Sequence, residues 1–285
     1  MAALALLVLA AGCSSAPPKA PVHKEAGTFS APAVGVEAQR LILPFDAYAM
    51  TTPDIHTIEA AEDVMIRDCM GERGMGWNAL PRPSGLDLDP PNRRRYGLIE
   101  SEVADRFGYH LPPRPPELAR REAAWQARQR LPDREQLAAF GKDGAGGCWK
   151  RAHEALLQNV PQADQSLFNR RAREVFGASR RDRAVLRVFG EWSACMKKKG
   201  VRYTSPLKAM GDAGWGTSTR PSPREISVAR SDVRCKEETG LVAVWADVET
   251  RMQRDVIRRH PGEFRAWKAE KDQWLRAARR ALGRG

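Results

Sequence analysis

The chain has little histidine and no clustering of it. His23, His56, His110, His153 and His260 are its five histidines, and no two share the i, i+4 spacing that sets a pair of imidazoles on one helix face around a metal. Gly-x-Ser-x-Gly is missing, which excludes the strained strand-to-helix elbow of the α/β-hydrolases. The glycine-rich segment Gly141–Gly147 leads into Cys148, with no Gly-Lys-Ser/Thr to cradle a phosphate. It reads as a flexible loop. No Cys-x-x-Cys occurs, so neither a thioredoxin-like redox pair nor a zinc ribbon is supported. Asp87 and Asp89 lie in a Pro-rich loop without a calcium-loop pattern, and Glu62 and Asp63 are helix neighbours that point in different directions. Long apolar runs and strand-length alternations of β-branched residues are absent as well. No metal, cofactor or catalytic motif is therefore expected.

What is present begins at the first residue. Met1 to Gly12 is uncharged and almost wholly Ala, Leu and Val, and it ends in Leu9-Ala10-Ala11-Gly12-Cys13. A bilayer span needs about 20 apolar residues, whereas a short apolar run closed by small residues fits the core and cleavage region of a secretory signal. The small-small-Cys ending resembles the bacterial lipobox, with Ala10 as a tolerated variant. It implies diacylation of Cys13 and a protein anchored on the extracytoplasmic face of the cell membrane. A basic stretch normally precedes such a run, so the translation start is expected upstream. Residues 13–40, with Pro17, Pro18, Pro21 and Pro32 and no hydrophobic periodicity, read as a disordered tether. It would reach roughly 3 Å per residue where proline keeps it extended.

Lys and Arg number 47 against 35 Asp and Glu, a formal net charge of +12. For an exported chain this excess favours lipid headgroups and anionic wall polymers over nucleic acid, which is not expected as a partner. The simpler reading is that the charges solvate helix faces, and Arg93-Arg94-Arg95 and Lys197-Lys198-Lys199 are too short to be binding motifs alone. Cys69, Cys148, Cys195 and Cys235 form an even set, which in an exported chain points to two disulfides.

Helical periodicity dominates from residue 52. Thr52-Pro53 offers a start, and Ile58, Ala61, Met65 and Cys69 fall on one face. A Pro-rich loop from Trp77 to Pro116 follows, with a short helix at Ser101–Phe107. Further helices are expected at Glu117–Arg130, Asp133–Phe140, Cys148–Asn159, Gln162–Phe176 and Arg180–Lys199. Ser222-Pro223-Arg224-Glu225 is a capping box opening another. Leu241–His260 and Glu263–Leu282, broken by Pro261-Gly262, read as an antiparallel hairpin.

One pattern recurs. Cys69-Met70-Gly71-Glu72-Arg73-Gly74 matches Cys195-Met196-Lys197-Lys198-Lys199-Gly200 as Cys-Met-x-x-x-Gly. Each copy ends an amphipathic helix and precedes an aromatic, Trp77 or Tyr203. A second cysteine follows much later, Cys148 or Cys235. The echo predicts a duplicated unit and disulfides kept within each copy, Cys69–Cys148 and Cys195–Cys235. The expected fold is mainly α, with helical hairpins in two related disulfide-stapled halves, residues 41–160 and 161–285.

These motifs, together with Arg95-Tyr96-Gly97-Leu98, Phe107-Gly108-Tyr109-His110, Gly146-Gly147-Cys148-Trp149 and Trp192-Ser193-Ala194-Cys195-Met196, look like a group of actinobacterial lipoproteins. No activity is assigned to that group, so the resemblance implies location and disulfides alone. Within the long first-half loop, Trp77, Tyr109 and His110 are the expected lining of a pocket. The expected function is non-catalytic binding of an envelope protein, a wall polymer or a small ligand. The alternative is an envelope hydrolase whose site is assembled from scattered residues. A pocket enclosing His110 and carboxylates would favour the enzyme.

Overall fold

The computed structural model describes residues 32–82, 87–142 and 144–283. The expected signal segment 1–12, Cys13 and tether residues 14–31 lie outside them. Regular structure among the described residues is almost entirely helical. In chain order it comprises α1 (Val36–Gln39), α2 (Thr52–Gly71), α3 (Ser101–Phe107), α4 (Pro116–Arg128), α5 (Asp133–Phe140) and α6 (Cys148–Leu157). The second half adds α7 (Gln165–Ser179), α8 (Arg183–Lys198), α9 (Pro206–Met210), α10 (Pro223–Thr239), α11 (Leu241–Arg259) and α12 (Pro261–Leu282). The fold is mainly α. None of the described helices is long and apolar enough to cross a membrane.

Some local expectations shift. The folded body begins before the boundary expected at residue 41: Gly35 N–H donates to Glu100 Oε1 at 2.8 Å, and Ala38 in α1 is buried. The cap of α2 is Thr51, not Thr52. Its hydroxyl accepts from Asp54 N–H at 3.2 Å while Asp54 Oδ2 accepts from Thr51 N–H at 3.0 Å, so Pro53 falls one position further in. The glycine-rich segment is a small antiparallel hairpin rather than a loose loop, pairing β1 (Gly141–Lys142) with β2 (Ala145–Gly146).

The two Cys-Met-x-x-x-Gly copies share one backbone geometry. Met75 N–H donates to Met70 O and Gly74 N–H to Gly71 O; Val201 N–H donates to Met196 O and Gly200 N–H to Lys197 O. Gly74 and Gly200 both have positive φ, 70° and 79°. This is the Schellman end of a helix, which needs a residue tolerant of the left-handed region one place past the cap. It also sets an apolar residue, Met75 or Val201, beside the buried methionine, Met70 or Met196. The motif is thus a helix stop with its own hydrophobic clasp. The cysteine one residue ahead faces inward and bonds the next helix layer, Cys69 to Cys148 on α6 and Cys195 to Cys235 on α10. Both bonds stay within their copy, as the echo predicts.

The two stapled units exchange elements. Tyr96, Leu98, Val103, Phe107 and Tyr109, all from the first half, are buried in a core built by α8, α10 and α11 of the second. In return, α12 leaves its own half and packs chiefly on α2, with Leu275 and Ala278 buried beside Ile58, Ala61 and Leu156. The expected α11–α12 hairpin is therefore not formed along its length. The helices meet near the joint, where Phe264 and Trp267 sit with Val256 and Ile257, and then part. The apolar stripe of α12 fits the exposed face of α2, which α5 and α6 alone leave uncovered.

A candidate binding cleft along α2

The three residues expected to line one pocket do not come together. Trp77 packs with the first unit, its ring edge against Phe140 and its Nε1–H donating to Asp63 Oδ1 at 3.1 Å. Tyr109 belongs to the core of the second unit, where its hydroxyl donates to Asp232 Oδ2 at 3.1 Å. His110 is held at both nitrogens, Nδ1 by Glu225 Oε1 at 2.7 Å and Nε2 by Ser218 O at 2.9 Å. That leaves no ring edge for a substrate. Glu225 also accepts the backbone N–H groups of Tyr109 and His110 at 2.8 and 3.2 Å. Its carboxylate therefore serves the loop instead of completing the capping box at Ser222, whose hydroxyl still accepts Glu225 N–H at 3.1 Å. Gly108 turns the chain here at φ 56°, and a Cβ on it would lie 2.7 Å from Glu225 Oε1.

The hydrogen bonds to Ser218 O and Glu225 hold the His110 imidazolium above its ordinary pKa of 6.5. A raised folded-state pKa stabilises the fold fully below the unfolded value, and the contribution is lost as pH rises through the folded value. The stability gap between the wild type and His110→Phe should therefore be widest near pH 5 to 6 and narrow toward pH 8, read from urea midpoints. A gap that widens with pH would contradict the assignment.

The run Arg93-Arg94-Arg95 is a set of internal clamps and not a solvated patch. Arg93 pairs with Glu100 at 2.6 Å, Arg94 donates to the carbonyls of Tyr109 and His110, both at 3.0 Å, and Arg95 grips Glu249 with two nitrogens. Lys197, Lys198 and Lys199 are exposed, as a solvated face requires.

The principal cleft lies between α2 and α4. The inward face of α4 carries Arg121, Trp125 and Arg128 at steps of four and three, where a packed helix would carry apolar residues. α4 therefore stands off α2, bridged by side chains. Arg121 reaches Glu59 and donates to Pro81 O at 2.9 Å, while Arg128 reaches Asp63 Oδ1 at 2.6 Å and Asn78 O at 2.8 Å. The gap has two chambers that share Ile55, Glu59, Leu80 and Trp125. The outer chamber, about 540 Å³, is closed on its far side by Arg93, Arg94 and the Leu111–Pro115 segment. Three exposed apolar side chains, Ile55, Leu111 and Trp125, stand at its wall. His56 faces the same space, and burial together with Arg121 pushes its pKa down, favouring the neutral ring.

The inner chamber, about 250 Å³, runs from Trp125 and Arg128 to α6 and α12, where Trp149, His153 and Trp274 form the wall with Ile58, Ile66 and Met50. His153 is flanked by tryptophans, stacked on Trp149 with ring centroids 5.1 Å apart and edge-on to Trp274 at 5.6 Å. Its Nδ1 lies 2.7 Å from Glu62 Oε1, and burial raises the Glu62 pKa. A carboxylate beside one imidazole nitrogen fixes the ring's orientation.

Trp77, Tyr109 and His110 each sit one residue behind this cleft. The Arg128 guanidinium lies 4.3 Å from the Trp77 ring centroid, and Arg94 and Leu111, which line the outer chamber, hold or follow the Tyr109-His110 pair. The residues that line the inner chamber come from four helices and two loop positions, Met50 and Leu80, and no sequence motif joins them. The one available signal was tryptophan and arginine on the inward side of an otherwise polar α4. Comparisons with family models, curated proteins and solved structures find no match for this chain, so any functional reading rests on the residues themselves.

Proposed function

We propose that the chain is a lipid-anchored extracytoplasmic binding protein, held at the membrane through Cys13, that takes a small ligand into the cleft along α2. One observation carries the binding half of this reading. α4 is propped off α2 by Arg121 and Arg128, which leaves an apolar, tryptophan-walled space with arginines at its margins. Ligand sites are typically concave and mostly apolar, with a few placed polar groups. Export is supported by the small-residue ending before Cys13 and by two disulfides, which persist in oxidising compartments. The net charge of +12 suits residence near anionic headgroups.

Two measurements test the two halves. A clickable fatty acid fed to cells should label the wild type and not Cys13→Ser; label surviving the substitution would remove the anchor. Nile red, an uncharged apolar dye, should brighten on the full-length Cys13→Ser chain, and Trp125→Ala should weaken its binding about tenfold, because Trp125 lines both chambers. Dye binding unchanged by that substitution would place the ligand site elsewhere.

A further inference from the structure

The wall of the outer chamber is apolar, and its margin holds a cation without a counter-charge. Among the described residues seven large apolar side chains stand exposed, and three of them, Ile55, Leu111 and Trp125, meet in this one cleft beside Leu118. Exposed apolar residues scattered singly need no explanation, whereas a cluster marks a groove kept open for binding. Four arginines belong to the lining. Arg93 pairs with Glu100 at 2.6 Å, Arg114 with Glu122 at 2.7 Å and Arg121 with Glu59. Arg94 forms no ion pair among the described residues; Asp89 and Glu100 act on it only through space.

The head of Arg94 has donors to spare, and they are reachable. Nη1 and Nη2 each give one hydrogen, to Tyr109 O and His110 O, both at 3.0 Å. Nε–H and the remaining Nη hydrogens of the guanidinium are unspent. Among the described residues, the unbonded side-chain nitrogens sealed from solvent are Arg128 Nε and Trp274 Nε1, so Arg94 Nε is open. Its position is fixed too. His110 O belongs to the peptide that leads into Leu111, whose side chain is 75% exposed in the chamber wall. Burial and the adjacent Arg93 push the Arg94 pKa down, as expected of a cation short of a counter-charge. One unmatched cation suits one negative charge, because a dianion would also meet Glu59, Glu122 and Asp89 in the same lining. A carboxylate fits the planar fork of a guanidinium. A cavity of about 150 Å³ holds one benzene ring, so about 540 Å³ has room for an alkyl tail as well.

Resting on the binding reading above, we propose that the outer chamber binds a single-chain amphiphile, its carboxylate on Arg94 and its alkyl tail along Ile55, Leu111, Leu118 and Trp125. Three probes of similar tail length separate head from tail by calorimetry on the full-length Cys13→Ser chain: decanoate, uncharged 1-decanol and the cation decyltrimethylammonium. Decanoate should bind about tenfold tighter than decanol, and the cation weakest of all. Arg94→Gln should lose that preference, with decanoate falling to the affinity of decanol. Because Arg94 also holds the Tyr109 and His110 carbonyls, Leu111→Asp provides a second reading that does not depend on that clamp. The Leu111 side chain is exposed, so the fold tolerates the change, and a carboxylate placed there should weaken decanoate about tenfold more than decanol. Equal binding of decanoate and decanol by the wild type, tighter binding of the cation, or a preference for decanoate that survives both substitutions would overturn the proposal and leave the binding reading standing. No binding by any of the three would overturn both.

Discussion

Lys236→Met is expected to lower the free energy of unfolding by about 3–5 kcal/mol, because it strands a buried charge. Lys236 and Asp232 are one helical turn apart on α10 and almost wholly buried, with Nζ 2.8 Å from Asp232 Oδ2. Burial drives the Asp232 pKa up and the Lys236 pKa down, and each is opposed by the charge of the other. The pair is knit into further hydrogen bonds. Asp232 also accepts from Trp192 Nε1–H at 3.0 Å and Tyr109 O–H at 3.1 Å, and Lys236 donates to Leu98 O at 2.6 Å. Methionine keeps the length of the side chain but removes the cation and leaves both Leu98 O and the carboxylate short of a donor. The double variant Asp232→Asn/Lys236→Met removes both charges and should recover at least half of the loss, since a missing pair costs less than a broken one. Guanidinium midpoints for the wild type, the single variant and the double variant measure this directly. A single-variant loss below about 1 kcal/mol would mean that the cluster does not hold the first-half loop on α10.

Much of this architecture is legible in the sequence because it is local. The Schellman glycines Gly74 and Gly200, the Ser222 cap and the breaker before α12 all act within a few residues, and the sequence places them within a residue or two of where they stand. The disulfides are legible for a related reason: the repeated helix stop carries its cysteine in a fixed position, so symmetry of role decides among pairings that spacing alone leaves open. Glu225 shows where local logic stops. Its position predicts a return bond to Ser222, yet its carboxylate goes to Tyr109 and His110, more than a hundred residues earlier in the chain, because three donors converge there.

The candidate site is less legible because it is built from exceptions to the binary pattern. A search for apolar faces passes over α4, whose inward side is Arg121, Trp125 and Arg128. The same rule takes Arg93, Arg94 and Arg95 for surface charge. Whether an arginine is a clamp or a solvated side chain depends on whether a distant carboxylate or carbonyl is waiting, as Glu100, Glu249 and Tyr109 O are here. Tertiary structure decides that, and a window of neighbouring residues does not contain it.

The same exchange of elements sets the second large effect, expected for Leu275→Ala on α12. Leu275 is 5% exposed and packs with Ile58 and Ala61 of α2, Leu156 of α6 and Ala278. Truncating a buried leucine costs about 2–5 kcal/mol through lost transfer energy and the cavity left behind. The upper part of that range applies here, since α2 and α6 are tied by Cys69–Cys148 and cannot easily close on the gap. Had α12 paired along α11, the loss would fall on the second unit alone. Because α12 instead covers α2, the variant should unfold in one transition at a lower denaturant midpoint. Near-ultraviolet circular dichroism from the tryptophans and reducibility of the Cys69–Cys148 bond should report the same shift. A biphasic curve, with the reducibility of Cys69–Cys148 unmoved, would mean that the first unit stands without α12 and that the units fold separately.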